Sequence, residues 1–203
     1  MALDKDAVKR RAIEIAGRLI DEGGAEALQM RAIARELGVS VGSVYNIVGD
    51  IDALHRLVNV DLLDELGMAG SETTERLRRD GVRDVRTRLI ALAETYLDFV
   101  ERNHVKWAAL LAFNRSRPSV AMPESYMLRQ EMLFDIIADV LADTPLRNDD
   151  TRRQTAARAL WSAVHGIVTN NFVGRGDASL AVESRVQIDL LVTVFVRGLL
   201  VEI

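Results

Sequence analysis

Residues Leu28–Leu54 read LQMRAIARELGVSVGSVYNIVGDIDAL, and the spacing inside this stretch decides how the first sixty residues fold. Ala32, Ile33 and Leu37 mark a short helix, and Gly38 supplies the tight turn that stops it. Ala34 is small enough to let two helices cross closely. Val39 is placed to plug a core, and Ser40 to cap a third helix from Val41 to about Ile47. Gly49-Asp50 breaks the chain again, and Asp50 can cap a fourth helix from Ile51 to roughly Leu66. The third helix is short, polar on one face, and of a size that enters a DNA major groove. Gly42 and Ser43 are small enough to let it approach base edges. The hydroxyls of Ser40 and Tyr45 can reach phosphates without carrying charge.

Working outward, a first helix is expected from about Asp4 to Asp21, with Val8, Ile13, Ala16, Leu19 and Ile20 on one face and Gly23-Gly24 as its stop. Gly67, Gly70, Ser71, Thr73 and Thr74 crowd into one stretch and predict a domain boundary there. Beyond it the periodicity predicts helices over about 82–102, from Asn103-His104 through Leu111, over 124–142, over 150–173 and from about 180 onward. Arg115–Pro123 reads as a loop. The last helix is apolar nearly all round, so it needs cover on every face, which a second subunit would supply. No strand alternation or internal repeat is visible. The expected fold is all-α: an N-terminal helix-turn-helix three-helix domain over 1–66, and a C-terminal helical bundle over 75–203.

The totals agree with that. The chain has 203 residues, 49% of them hydrophobic and 5% aromatic, with three prolines, and lacks cysteine. Such a chain can bury one or two cores and excludes a disulfide framework or thiolate metal site. The charged N-terminus is unlike a signal peptide. The apolar run Leu190–Val196, with Thr193 inside it, falls far short of the roughly 20 residues of a membrane span. A soluble cytoplasmic protein with no membrane partner is expected. The net charge is −4, and the first sixty residues carry eight basic against nine acidic side chains. A nucleic-acid site must therefore come from placement of charge, since composition does not supply it.

The segment Leu28–Leu54 resembles the TetR family signature, carried here by Ile33-Ala34, Gly38-Val39-Ser40, Gly42 and Tyr45, with Leu54 as an anchor in the next helix. Ile13, Ala16 and Gly23 sit at the offsets usual in that family. More weakly, RLIALAETYLDFVERNHVKW (Arg88–Trp107) resembles the helix after the DNA-binding domain. WSAVHGIV (Trp161–Val168) resembles the W-x-x-x-H-G element of one subgroup. The resemblance implies a ligand-responsive regulator of transcription, a repressor binding a palindromic double-stranded DNA operator as a homodimer, with a small-molecule effector in the C-terminal domain. The DNA-binding residues expected are Arg31, Ser40, Val41, Gly42, Ser43, Tyr45 and Asn46. Three departures stand out: Ile47 and Val48 replace an aromatic or histidine and a phenylalanine, Ile51 replaces a phosphate-binding lysine, and Gln29 replaces a Ser/Thr cap. The alternative is an all-α ligand-binding or dimerisation protein that keeps the helix-turn-helix fold without using it on DNA.

Trp161 and His165 lie four apart on one helix face and offer hydrogen bonds to an apolar ligand. Trp107, Phe113, Tyr126, Phe134 and Asn170 complete the candidate pocket, with Met122 and Met127 behind them. Aromatic and Met side chains at this spacing are usually core, His165 alone reads as a core histidine, and Asn170 as an amide whose partners a ligand or the second subunit would supply. The ridge Ala156, Ala159, Ala163 and Gly166, with Leu191, Phe195 and Leu199, suits helix packing, and Ala156, Ala163 and the three larger residues are the expected dimer contact. The arginines at 76, 78, 79, 83, 86 and 88 read as solvated surface. His55, His104 and His165 fall on separate helices and no catalytic or metal-binding spacing occurs, so no enzymatic activity, cofactor or metal is expected.

Overall fold

The computed structural model of the chain describes residues 4–116, 123–172 and 178–200. Among these are nine α-helices and no strand. The chain divides into two compact units, one of Met1–Leu63 and Val105–Tyr126, the other of Asp64–His104 and Met127–Ile203.

In the first unit, α1 (Lys5–Gly23) begins at Asp4, whose carboxylate accepts from the Asp6 N–H at 3.1 Å. Its inward face is Ala12, Ile15, Ala16 and Ile20, with Ile13 and Leu19 half-buried beside them. Helix α2 (Met30–Leu37) buries Met30, Ile33 and Ala34, and α3 (Val41–Val48) buries Val44 and Val48. Gly38 joins them with φ 68° and ψ 30°, a left-handed conformation that a β-carbon disfavours, and the Val39 N–H closes on the Ala34 carbonyl at 3.1 Å. These side chains meet Leu28, Leu54, Val58 and Ala109 in one core. The last is carried by α6 (His104–Ser116). Arg18 on α1 bonds Glu36 on α2 at 2.5 Å across the surface.

Helix α4 (Ile51–Arg79) runs unbroken through the stretch expected to be a boundary, so the fourth helix does not end near Leu66. The glycines there serve close approach. A β-carbon on Gly70 would stand 3.4 Å from Ile136 Cδ1 and 3.9 Å from Leu92 Cδ2, and one on Gly67 would stand 3.9 Å from Leu133. Thr73 is turned inward and its hydroxyl bonds that of Thr95 at 2.9 Å. The helix stops instead at Asp80-Gly81, where Gly81 takes φ 71°.

The second unit packs the end of α4 with α5 (Val85–Arg102), α7 (Glu124–Leu141), α8 (Asp150–Phe172) and α9 (Ala178–Leu200). Asp84 caps α5 by accepting from the Thr87 N–H at 2.8 Å. Leu89, Leu97, Val100, Leu141, Val168, Ile188 and Val192 are all buried in its core. Arg185 and Asp98 tie α9 to α5 at 2.5 Å, and Arg129 and Asp64 tie α7 to α4 at 3.0 Å. Helix α9 is covered on one face only. Val182, Val186, Leu190 and Val194 are 60–66% exposed. No helix among the described residues is long and apolar enough to cross a membrane. Residues 117–122, which hold Met122 and most of the expected loop, lie outside the described residues, whereas Arg115 and Ser116 complete α6.

Candidate nucleic-acid interface and apolar cavity

Helix α3 sorts its side chains by period. Val44 and Val48 point into the core and Val41 and Ile47 are half-buried against it. Gly42, Tyr45 and Asn46, spaced three and four apart, form the exposed face. Tyr45 keeps 49% of its surface exposed, and its hydroxyl has no hydrogen-bond partner among the described residues. An aromatic residue so exposed on a helix that is otherwise well packed is available to a partner.

Ser40 is the cap the sequence implies. Its hydroxyl accepts from the Ser43 N–H at 3.1 Å and shares a bond with the Ser43 hydroxyl at 2.8 Å. That pair fixes the start of α3 and leaves Ser43 half-buried. Arg31, on the second turn-facing helix, is exposed and forms no ion pair among the described residues. Ile51 packs its side chain against the core, so the first turn of α4 presents no cation. Asp50 accepts from the Ala53 N–H at 2.7 Å, which places a carboxylate on the positive end of that helix. Gln29 stands at the N-cap of α2 without a side-chain hydrogen bond, as its replacement of Ser or Thr implies.

The second unit holds a partly open cavity of about 50 Å³ between α4, α5, α7, α8 and α9. Leu66, Leu89, Leu92, Leu133, Ile137 and Leu160 are among its apolar walls, and Tyr96, Thr95 and Trp161 bring the polar atoms. Tyr96 and Trp161 rings lie 4.9 Å apart between centroids, and the Trp161 and His165 rings stack at 6.0 Å. The Tyr96 hydroxyl and His165 Nδ1 share a 2.7 Å hydrogen bond. Burial holds the His165 imidazole below the ordinary histidine range.

The candidate pocket residues therefore separate. Trp161 lines the cavity, His165 stands behind Tyr96, and Phe134 meets Trp161 edge-on at 6.1 Å. Asn170 and Met127 are exposed. Trp107, Phe113 and Tyr126 are buried in the other unit, where Phe113 lies 4.3 Å from the His55 ring and Tyr126 accepts from Asn114 at 2.9 Å. Tyr96 and Thr95 are the residues that sequence reasoning did not select. Tyr96 lies on the buried face of α5, where nothing local in the sequence distinguishes a cavity wall from core. Of the expected dimer contacts, Ala163 is exposed and Ala156, Leu191, Phe195 and Leu199 are half-buried.

Comparison with known proteins gives one family for both units. The profile described as "Bacterial regulatory proteins, tetR family" matches residues 12–47, and that described as "Tetracyclin repressor-like, C-terminal domain" matches 89–194, more than half of the chain. The HTH-type transcriptional regulator Rv1816 of Mycobacterium tuberculosis is 26% identical, over 91% of this chain and 89% of that protein. The fold is shared with a transcriptional regulator of Rhodococcus sp. RHA1 at TM-score 0.71 and 22% identity, covering 96% of this chain and 99% of the other. It is also shared with FadR of Bacillus subtilis, solved in complex with stearoyl-CoA, at TM-score 0.68 and 13% identity, covering 93% and 98%. The chain belongs to the TetR family of transcriptional regulators and carries at its N-terminal end that family's DNA-binding helix-turn-helix.

Proposed function

We propose that the protein is an effector-responsive repressor that binds a near-palindromic operator as a homodimer. The part up to about residue 66 reads DNA, and the part from about residue 75 holds the effector and the second subunit. The observation that carries this reading is the outward face of α3, where Gly42, Tyr45 and Asn46 stand clear of the core on a helix capped by Ser40. Gly42 lets the backbone approach the groove floor. Tyr45 and Asn46 offer hydrogen bonds to phosphate and base edges, Ser43 and Val41 flank them, and Arg31 approaches the backbone from α2. The hydroxyl of Ser40 acts through its cap, because the Ser43 bonds already engage it.

Two features support the homodimer. The apolar stripe Val182, Val186, Leu190 and Val194 runs along α9 at intervals of four and is exposed. Ala163 presents small side-chain surface on the adjoining α8. A two-fold contact of these faces would bury both stripes, and a dimer that carries two copies of α3 reads two half-sites with centres about 34–36 Å apart or more. The tyrosine, histidine and tryptophan around the apolar cavity support a small-molecule effector, as does the stearoyl-CoA bound by the B. subtilis protein of the same fold. An effector that binds one arrangement of α4 better than another shifts the population of DNA-competent dimers. Such a protein works beside DNA in the cytoplasm.

Replacing Tyr45 by Ala removes an exposed side chain from each of two half-sites. A contact of this kind contributes about 1 kcal/mol, so affinity for an operator falls on the order of tenfold or more. A gel-shift titration with unchanged affinity would remove Tyr45 from the interface.

A further inference from the structure

The arginines that the sequence presents as one cluster between 76 and 88 separate in the fold. Arg78 is held by Glu75, Arg86 by Asp189 and Thr193, and Arg88 by Asp143. Arg76 and Arg79 instead line an open groove of about 480 Å³ along α4 and α5, and Arg102 lines it from α5. Two carboxylates share that groove. Asp98 is taken by Arg185 at 2.5 Å, and Arg102 Nε donates to the Asp98 backbone carbonyl at 3.1 Å. Glu75 acts on Arg79 from outside the groove, which leaves Glu72, among the described residues, as the unpaired carboxylate of the groove beside Arg76, Arg79 and Arg102. The surplus of positive charge suits an anion, and guanidinium groups match carboxylate and phosphate oxygens in pairs.

Thr95 lines this groove and the apolar cavity alike. Its hydroxyl donates to the Ala91 carbonyl at 2.8 Å and bonds Thr73 at 2.9 Å, so a seam of two threonines separates the charged side from the apolar one. The cavity of about 50 Å³ is far smaller than a small-molecule site of roughly 300–1,000 Å³, whereas the groove falls in that range. A ligand confined to the cavity would be very small; one that spans the seam uses both volumes.

We propose that the effector is an anionic amphiphile, with its acidic head at Arg76, Arg79 and Arg102 and its apolar tail passing Thr73 and Thr95 into the cavity beside Leu92. This rests on the reading of the cavity as the effector site. Admission of the tail parts α4 from α5 at the Thr73–Thr95 bond. Helix α4 is continuous with residues 51–63 of the DNA-reading unit, so the displacement is placed on an element that both units share.

The test is calorimetric titration of the full chain with dodecanoate, dodecyl phosphate and 1-dodecanol, each below its micellar concentration. Both anions are expected to bind at least about tenfold more tightly than dodecanol, and their order identifies the head as carboxylate or phosphate. In the R76Q/R79Q/R102Q chain that preference disappears while dodecanol binding persists. Leu92→Trp, or the milder Ala93→Leu with its fold checked by melting, abolishes binding of all three. Equal affinity for the three ligands, lost on filling the cavity, would overturn the anionic head and leave the cavity as effector site. Binding that survives the filled cavity, or no binding of any ligand to the wild-type chain, would overturn the proposal and count against the cavity itself.

Discussion

Ile51 opens α4 where the resemblance to the family signature implies a lysine, and its side chain packs half-buried against the core of the DNA-reading unit. The exchange trades a phosphate contact for apolar burial. A lysine there can run its stem along the same surface and bring its ammonium to the duplex. Ile51→Lys is therefore expected to tighten operator binding at low salt. It should also steepen the plot of log affinity against log salt by about one unit per half-site, at a small loss of melting temperature. An unchanged slope in a salt-series titration would place Ile51 away from the phosphates. At this scale the sequence was most legible. Gly38 and Ser40 act through bonds within five residues, so the turn and the cap follow from local chemistry alone. Asp50 is another such case.

Helices resist that kind of reading wherever a residue's role depends on what packs against it. Gly67 and Gly70 resemble turn residues in sequence, yet in α4 they admit Leu133 and Ile136. Only the neighbouring helix distinguishes the two uses, and the true stop at Gly81 is no stronger as a local signal. Helix α9 illustrates the converse. Its all-round apolar sequence implies cover on every face, and the fold covers one, leaving Val182, Val186, Leu190 and Val194 exposed. Burying one such side chain contributes about 1.5–3 kcal/mol, and a two-fold interface counts each twice. Glutamates at Val186 and Leu190 should weaken self-association by at least about a hundredfold while leaving the monomer folded. Sedimentation equilibrium reads the first and thermal melting the second; a dimer that survives both substitutions would move the interface elsewhere.

Across the whole molecule, contacts far apart in sequence decide the cavity. Tyr96 and His165 stand 69 residues apart and meet at 2.7 Å, whereas Trp107, Phe113 and Tyr126 belong to the other unit. All five carry rings that suit a pocket or a core alike; the topology alone sorts them. The buried imidazole makes one consequence measurable. His165 is held below its ordinary pKa in the fold, so as pH falls through about 6.5 the unfolded chain takes up the proton first. Stability is then lost on acidification from pH 7 to 5. His165→Asn keeps an acceptor for Tyr96 without the titration and should lose less melting temperature over that interval; equal losses would show that His165 does not contribute. Selection from a pool of random duplexes tests the binding of the intact dimer to DNA most directly. The wild-type chain is expected to enrich a near-palindromic site with half-sites about one helical turn apart or more. A pool that returns no enriched sequence would contradict it, and would mean that α3 serves packing alone.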